Sequence, residues 1–563
     1  MVYLIEAIER ATKESGTITF LAGDGEQRYS WARLYDDARR LAGRLRDHGL
    51  GPGRPLVVLA LTSPAAITAA LAGWLAGTSV TFAPTPARTM TPAGYTEATR
   101  RRLRALGEPV VLVGAPWTSV LDDLDGDGRV MLPLDQVLHA ALNTPTRSWE
   151  PPAVAEWDPA ILQMTSGTTD SPKIVRISHA NVAANVEAIN IATGHDPTHG
   201  RMLSWLPLSH DMGLIGSFVL PLSCGRCDVV LSSPVDYLAH PASWMEQISR
   251  YRATSTVGPN SAYALAAKLL ATGPALDLSS LRCALSGGES VDPDLMAAFT
   301  TAAARHGFNP GAAVPAYGMA EATVAVTLSP LGRGLCCDTV DAEQLDQRGH
   351  AVPVTRPAVT SVDVAADTNG DGPRVRRMPL LGPPVAGLEL RIVDPDSGQR
   401  LPDRRVGEVQ IRGTSVTSGY HDDPLLTREL FTPDGWLRTG DLGYLADGEL
   451  VITGRAKDVI ILAGRNIYPD EVERAAARAP GVRAGNAVAF AYHRPGPLGG
   501  EGLAVAVETR SDDHAEIRTA VIRQIHETVG VKPHTVVVLR PGSIPKTPSG
   551  KLQRAEAARR FTP

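Results

Sequence analysis

Cysteine is scarce in this sequence: Cys224, Cys227, Cys283, Cys336 and Cys337 are the five in 563 residues. An odd handful in so long a chain is no disulfide framework, so a reducing, cytoplasmic setting is the expectation. Net charge is lacking too. Lys and Arg total 55 against 60 Asp and Glu, a formal −5, which removes any general electrostatic reason to bind nucleic acid or an anionic membrane. Gly (53) and Pro (44) together stay below the roughly 25–30% of low-complexity chains, and no internal repeat is visible. The first ten residues set acids inside an apolar stretch and lack the basic start of a signal peptide; they read as an amphipathic helix.

One absence imitates a membrane span. No charged residue occurs between Arg54 and Arg88, long enough to cross a bilayer. Ser63-Pro64, Gly73, Gly77 and Pro84 nevertheless punctuate the run. They divide it into a strand (55–61), a helix opening on Pro64 and ending by Gly77, and a second strand (79–83). Parallel strands covered by helices on both faces read as continuous apolar runs, so a β-α-β unit is expected and a membrane span is not. The alternation recurs, with strands at 110–114 and 229–233 and helices at 241–251 and 262–271, which predicts α/β architecture with a largely parallel sheet.

The hydrophobic fraction, 43%, can bury large cores, and the length suggests two to four folding units at roughly 150 residues each. A linker-like stretch, 143–153, precedes the first chemical motif. From about Gly382 short alternating segments (388–393, 407–412, 448–453) predict a small antiparallel β-region. After about Gly454 a hairpin, helices and a last strand at 535–539 suffice for a separate domain. The expected fold is therefore α/β. A large N-terminal domain (1–454) holds mostly parallel α/β subdomains plus the small β-region (about 382–454), and a small α+β C-terminal domain occupies 458–563.

Chemistry concentrates in a few phrases. Thr165-Ser166-Gly167-Thr168-Thr169-Asp170-Ser171-Pro172-Lys173 follows an apolar lead-in, 159–164. Such a turn can aim backbone N–H groups and hydroxyls at phosphate oxygens, with the lysine as a point charge. The Walker A spacing is absent, and alone the segment is equally an ordinary turn. It does not stand alone. Leu208-Ser209-His210-Asp211-Met212-Gly213, Ser286-Gly287-Gly288-Glu289-Ser290 and Tyr317-Gly318-Met319-Ala320-Glu321 follow. Then come Gly440-Asp441, Gly454-Arg455 with Lys457-Asp458, Gly464-Arg465-Asn466, and finally Ser549-Gly550-Lys551 with Arg554.

In this order and spacing the set resembles the acyl-activating adenylate-forming superfamily of acyl-CoA synthetases, peptide-synthetase adenylation domains and luciferases, over nearly the whole chain. Within it the phrases around His210, Tyr317 and Asn466 look most like the fatty acyl-AMP ligases. So does the long spacer between Glu321 and Gly382, because that branch carries an insertion there (about 330–380) linked to poor use of coenzyme A.

The resemblance implies an ATP- and Mg²⁺-dependent enzyme joining a carboxylic acid to AMP. Two anions must meet, so the protein must align them and neutralise charge spreading over phosphate oxygens. By resemblance, Thr165, Ser166, Gly167, Thr168, Thr169 and Lys173 hold the β- and γ-phosphates, and Glu321 ligates Mg²⁺, a hard cation suited to oxygen. Gly288, Glu289 and Ser290 line the adenine with Tyr317, Gly318, Met319 and Ala320, while Asp441 and Arg455 meet the ribose. Lys551 bridges acyl carboxylate and α-phosphate, arriving with a mobile C-terminal lid that hinges about Lys457-Asp458. His210 gates or lines the acyl pocket, or is a satisfied structural imidazole.

No carrier domain is recognisable, so the expected acceptor is an acyl carrier protein acting in trans, with coenzyme A as the alternative. A catalytically silent binding protein and an amino-acid-activating enzyme are further readings. Asp170 departs from the usual glycine of the phosphate loop, Ile174 departs too, and Ser209 replaces a common aromatic, which would widen the acyl pocket. Two acidic runs opening like EF-hand loops, at Asp123 and Asp367, lack the twelfth-position Glu and read as turns. Cys224-Gly-Arg-Cys227 lacks a second ligand pair and reads as packing, and Arg100–Arg104 as a solvated helix face.

Overall fold

Position explains the charge-free run. Leu56–Leu59 and Val80–Phe82 are buried strands, and the helix Pro64–Leu75 between them is buried from Ala66 onward. A helix apolar on every side has protein on every side; this one packs in the largest core, with residues of two parallel sheets around it. The Ser63 hydroxyl accepts from the Ala66 N–H at 3.2 Å to cap it, and Trp74 donates its indole N–H to the Ala160 carbonyl at 2.9 Å. No helix among the described residues is long and apolar enough to cross a membrane.

The computed structural model describes residues 3–23, 25–86, 91–120, 124, 129–144, 150–165, 172–194, 200–354, 374–462, 465–493, 501–547 and 551–562. Six strands form the first sheet in the order Val130–Pro133, Val110–Val113, Leu56–Leu59, Val80–Phe82, Pro159–Met164, Ile174–Ser178, parallel except for the last pair. The second sheet has eight strands. Its parallel centre runs Ala313–Tyr317, Cys283–Ser286, Ser255–Gly258, Arg201–Ser204, Asp228–Ser232, Thr17–Ala22, with an antiparallel strand at each edge.

Four antiparallel strands follow in chain order, Leu388–Val393, Gly407–Gly413, Leu437–Ala446 and Glu449–Arg455. Between Glu321 and Gly382 a two-stranded pair, Cys337–Asp341 with Val375–Pro379, brackets the helix Ala342–Arg348. Buried Asp346 on that helix pairs with Arg376 at 2.8 Å and with Arg465 of the C-terminal region at 3.2 Å. The rest of that spacer, 355–373, lies outside the described residues, as does nearly all of both EF-hand-like runs.

A three-stranded sheet (Val482–His493, Glu501–Thr509, Thr535–Leu539) ends the chain and sends alternate residues to opposite faces. Leu503, Val505 and Val507 pack against Val472 and Val521 of the helices Pro469–Ala477 and His514–Val529. Ala504 and Ala506 meet Ile544 and Ala557 on the other side. This sheet thus has cores of its own.

Candidate active site

The parallel strands of the eight-stranded sheet all end on one side, and there the motifs gather. Arg201–Ser204 leads into Ser209-His210-Asp211, Cys283–Ser286 into Gly287–Ser290, and Ala313–Tyr317 into Gly318–Glu321. In open α/β sheets the ligand crevice lies outside the carboxyl ends of the strands. A cavity of about 230 Å³ opens there between His210, Gly288, Tyr317 and Lys551. It continues along the sheet past Met202, Val257 and Leu285 to Gly200, Thr254 and Arg282 at the strand starts. From Gly288 back to Arg282 the extended chain covers about 20 Å at roughly 3.3 Å per residue.

The opposite wall is a π-helical turn, Met212–Val219. One extra residue per turn widens it, so that Met212, Gly216 and then Leu220, each four residues on, face the cavity. A Cβ on Gly216 would meet nothing within 4 Å. A bare wall beside an apolar channel suits a chain-like ligand.

Tyr317, Asp441 and Arg455 form the first polar group. Asp441 and Arg455 face each other across paired strands, with Arg455 Nε 3.2 Å from Asp441 Oδ1. The Tyr317 hydroxyl donates to Asp441 Oδ2 at 2.5 Å. Burial raises the Asp441 pKa, although Arg455 and Tyr317 oppose the rise. Gly318 is dictated by the turn that follows: a Cβ would lie 1.9 Å from the Val324 carbonyl oxygen. Thr323 closes that turn at φ 73° and donates its hydroxyl to the Ser415 carbonyl at 2.7 Å.

Glu321, Tyr420 and Lys173 form the second. Tyr420 donates to Glu321 Oε1 at 2.9 Å, and the Lys173 ammonium lies 5.3 Å from the centre of the Tyr420 ring. Thr165 reaches the Lys173 carbonyl through its backbone N–H at 3.0 Å and its hydroxyl at 3.3 Å, so the two ends of the phosphate-loop phrase are joined. Ser166, Gly167, Thr168, Thr169 and Asp170 between them lie outside the described residues.

His210 and Asp211 form the third. His210 Nδ1 lies 2.6 Å from Asp211 Oδ1. The Met212 N–H donates to both, to Asp211 Oδ1 at 2.7 Å and to His210 Nδ1 at 3.3 Å. Burial opposes the Asp211 charge, but His210, Lys551 and the Met212 N–H outweigh it and hold the carboxyl below the ordinary range. Lys551 reaches the same cavity from the far end of the sequence. Burial lowers its pKa, with Arg455 adding to the fall, and Asp211, Glu289 and Asp441 pull the other way. The Glu289 carboxylate, with its pKa raised by burial, accepts from the Ser261 N–H at 2.5 Å at the start of the helix Asn260–Thr272.

A family model described as AMP-binding enzyme matches residues 8–421. The chain belongs to the AMP-binding enzyme family. It is 40% identical over 542 residues to Rv1013 of Mycobacterium tuberculosis, a protein named as a ligase, across 94% of each chain. It is 34% identical over 431 residues to the medium-chain-fatty-acid–[acyl-carrier-protein] ligase JamA of Moorena producens, covering 74% of this chain and 70% of that one. It matches a structure from a study of the fatty acyl-adenylate ligases of E. coli and L. pneumophila, with a TM-score of 0.86 and 29% identity over 100% of this chain and 97% of that one. These likenesses place it in the fatty acyl-AMP ligase branch of the adenylate-forming enzymes.

Not every expected residue lines the cavity of this AMP-binding enzyme. His210, Gly288, Tyr317, Gly318 and Lys551 do. Asp441 and Glu321 connect to it through Tyr317 and the Gly318–Ala320 turn, and Ser290 hydrogen-bonds Asp470 of the C-terminal region. Ser209 lines a separate small cavity with Phe82, Leu208 and Pro234 and not the acyl channel, so a serine there in place of an aromatic does not widen that channel. Ile174 is likewise core. Cys227 is buried in the channel wall, and Arg100, Arg101 and Arg104 lie on one helix with Arg102 half-buried.

Sequence reading passed over Tyr420 and Gly216. The first had a faint signal in Ser418-Gly419-Tyr420, whose glycine, at φ 138°, has Thr427 where a Cβ would go. The second had none.

Proposed function

We propose that this chain activates a carboxylic acid with ATP and passes the acyl group to the phosphopantetheine thiol of a separate carrier protein, in the cytoplasm. An oxygen of the acid attacks the α-phosphorus, the bond to the bridging oxygen breaks, and pyrophosphate leaves. The thiol then attacks the acyl carbonyl carbon, loses its proton, and AMP leaves. The observation that carries the reading is the Lys551 ammonium in one cavity with His210, Gly288 and Tyr317, at the mouth of an apolar channel.

Each group suits a part of that reaction. Lys551 has three donors on a long stem and can neutralise acid carboxylate and α-phosphate together. Asp441 and Arg455 form a donor–acceptor pair suited to ribose hydroxyls, while Gly288, Glu289 and Ser290 with Tyr317, Gly318, Met319 and Ala320 shape the base site. Thr165 and Lys173, with the intervening Ser166, Gly167, Thr168 and Thr169 of the sequence, would take the outer phosphates.

Mg²⁺ enters as part of the substrate, on the phosphates of ATP. Among the described residues no group of three ligating side chains could cage a metal. Magnesium binds through one or two carboxylates plus substrate phosphates, which the single Glu321 carboxylate, oriented by Tyr420, fits. His210, held beside Asp211, lines the cavity where the acid would lie.

ATP–pyrophosphate exchange across acids of increasing chain length, with mass detection of acyl-AMP, tests the first step. Adding coenzyme A or a phosphopantetheinylated carrier tests the second. Exchange without any acid preference, or thioester formed on coenzyme A alone, would overturn the corresponding half.

A further inference from the structure

Arg554 opens the last helix, Arg554–Phe561, just beyond Lys551. Carboxylates from three residues surround its guanidinium. Nε donates to Glu473 Oε1 at 2.8 Å, Nη1 to Asp458 Oδ2 at 2.9 Å, and Nη2 to Glu473 Oε2 at 2.7 Å and to Asp470. These acids belong to different elements. Asp458 ends the short turn Ala456–Asp458, which directly follows the strand Glu449–Arg455. Asp470 and Glu473 lie on the helix Pro469–Ala477, and Asp470 also hydrogen-bonds the Ser290 side chain beside the cavity.

A guanidinium presents a rigid planar fork, so binding three carboxylates at once fixes its orientation, which a single ammonium on a flexible stem cannot do. Burial matters as well: Glu473 is buried and Asp470 partly so, which makes an uncompensated carboxylate there costly, and the clamp resists opening. Lys551, by contrast, is a long flexible side chain whose ammonium is useful only where its loop delivers it. Lys551 is tied to Thr547, whose N–H donates to the Lys551 carbonyl at 2.8 Å and whose hydroxyl accepts from the Lys551 N–H at 3.0 Å. Its attachment to the remainder of the C-terminal region runs directly into Arg554.

We propose that Arg554 is the positioning residue for Lys551. Its clamp on Asp458, Asp470 and Glu473 sets the loop so that the ammonium enters the cavity, and the Asp458 arm couples that placement to the conformation of the 456–458 connection. The role assigned to Lys551 rests on the adenylation reading; the placement does not.

The test has two independent readouts on the intact protein. Labelling by an amine-reactive ester, followed peptide by peptide with mass spectrometry, reports placement. Lys551 reacts roughly tenfold faster in Arg554→Gln than in the parent, as a locally opened segment does, while exposed Lys268 is unchanged. Asp458→Asn cuts one arm, leaves the Glu473 and Asp470 pairs, and accelerates Lys551 labelling less; it answers the question if Arg554→Gln fails to fold.

Pyrophosphate exchange reports function. Arg554→Gln lowers kcat about a hundredfold with the KM for ATP nearly constant, the scale set by misplacing one reacting group. Arg554→Lys recovers part of it. In a Lys551→Ala background Arg554→Gln adds no further loss, because the residue acts through the lysine. Unchanged Lys551 labelling in both variants, or a full additional loss in the Lys551→Ala background, overturns the proposal. Parent protein that exchanges pyrophosphate with no acid overturns the adenylation reading instead, and the labelling result still decides this one.

Discussion

Gly216→Leu converts the apolar channel into a measuring device. Gly216 stands in the channel wall between Met212 and Leu220, with open space where a Cβ would be. A leucine there adds four carbons to that space and, being a better helix former than glycine, does not threaten the turn. It displaces about four methylenes of any acid long enough to pass. At about 0.8 kcal/mol per methylene withdrawn from water, long acids lose about 3 kcal/mol of binding. That is roughly a two-hundredfold fall in kcat/KM, since about 1.4 kcal/mol makes a factor of ten.

Short acids that stop level with Met212 keep their rates, because Gly216 lies four residues further along the channel wall. Pyrophosphate exchange with a ladder of straight-chain acids reads the result, and the KM for ATP serves as the control. A parallel drop for short and long acids alike, or no change along the ladder, would show that the acyl chain does not run past Gly216.

Other outcomes follow from the polar groups. Lys551→Ala abolishes most pyrophosphate exchange, yet leaves thioester formation from supplied acyl-AMP close to the parent rate; equal loss in both assays contradicts its role. Tyr420→Phe removes the 2.9 Å bond to Glu321 and raises the KM for MgATP about tenfold, the lower end of the worth of one hydrogen bond to a charged group. Asp441 behaves differently. Its pKa is raised by burial above the unfolded value, so the ionised form costs stability at neutral pH, and that cost fades as pH falls through the folded pKa. Asp441→Asn therefore raises the melting temperature at pH 7.5 while weakening ATP binding about tenfold or more, measured by calorimetry. Finally, burial holds the Lys551 pKa below the usual 10.5, so the alkaline limb of kcat/KM falls earlier than an exposed lysine would allow, and rate profiles against pH locate it.

Much of this was readable from residue order. The β-α-β unit of residues 56–82 follows from apolar runs broken by Ser63-Pro64 and Gly77, because those residues end and begin elements through local backbone chemistry. The antiparallel region after Gly382 follows from period-two alternation, and three of its four strands lie within two residues of the expected ones, while the fourth, Leu437–Ala446, was not expected. The phrases around His210, Gly288, Tyr317 and Asp441 announce themselves because phosphate and carboxylate chemistry needs particular side chains in particular turns. The channel was not readable. Its wall takes residues from five separate strands and a π-helical turn, and an apolar side chain facing a void looks, in sequence, like one facing a core. Ser209 shows the limit from the other side, because it lines a small separate cavity with Leu208 while the very next residue, His210, lines the channel.

Local chemistry, then, was enough to specify the elements, their α/β alternation and the inventory of groups able to handle phosphate and carboxylate. Three-dimensional packing alone settled which of those groups meet. Lys551 and His210 lie far apart along the chain and line one cavity; Glu321 is oriented by Tyr420 and Asp441 by Tyr317. The physical reason is range: turn and strand preferences act over a few neighbouring residues, whereas burial, cavity shape and charge pairing depend on separations in space that only the closed fold establishes.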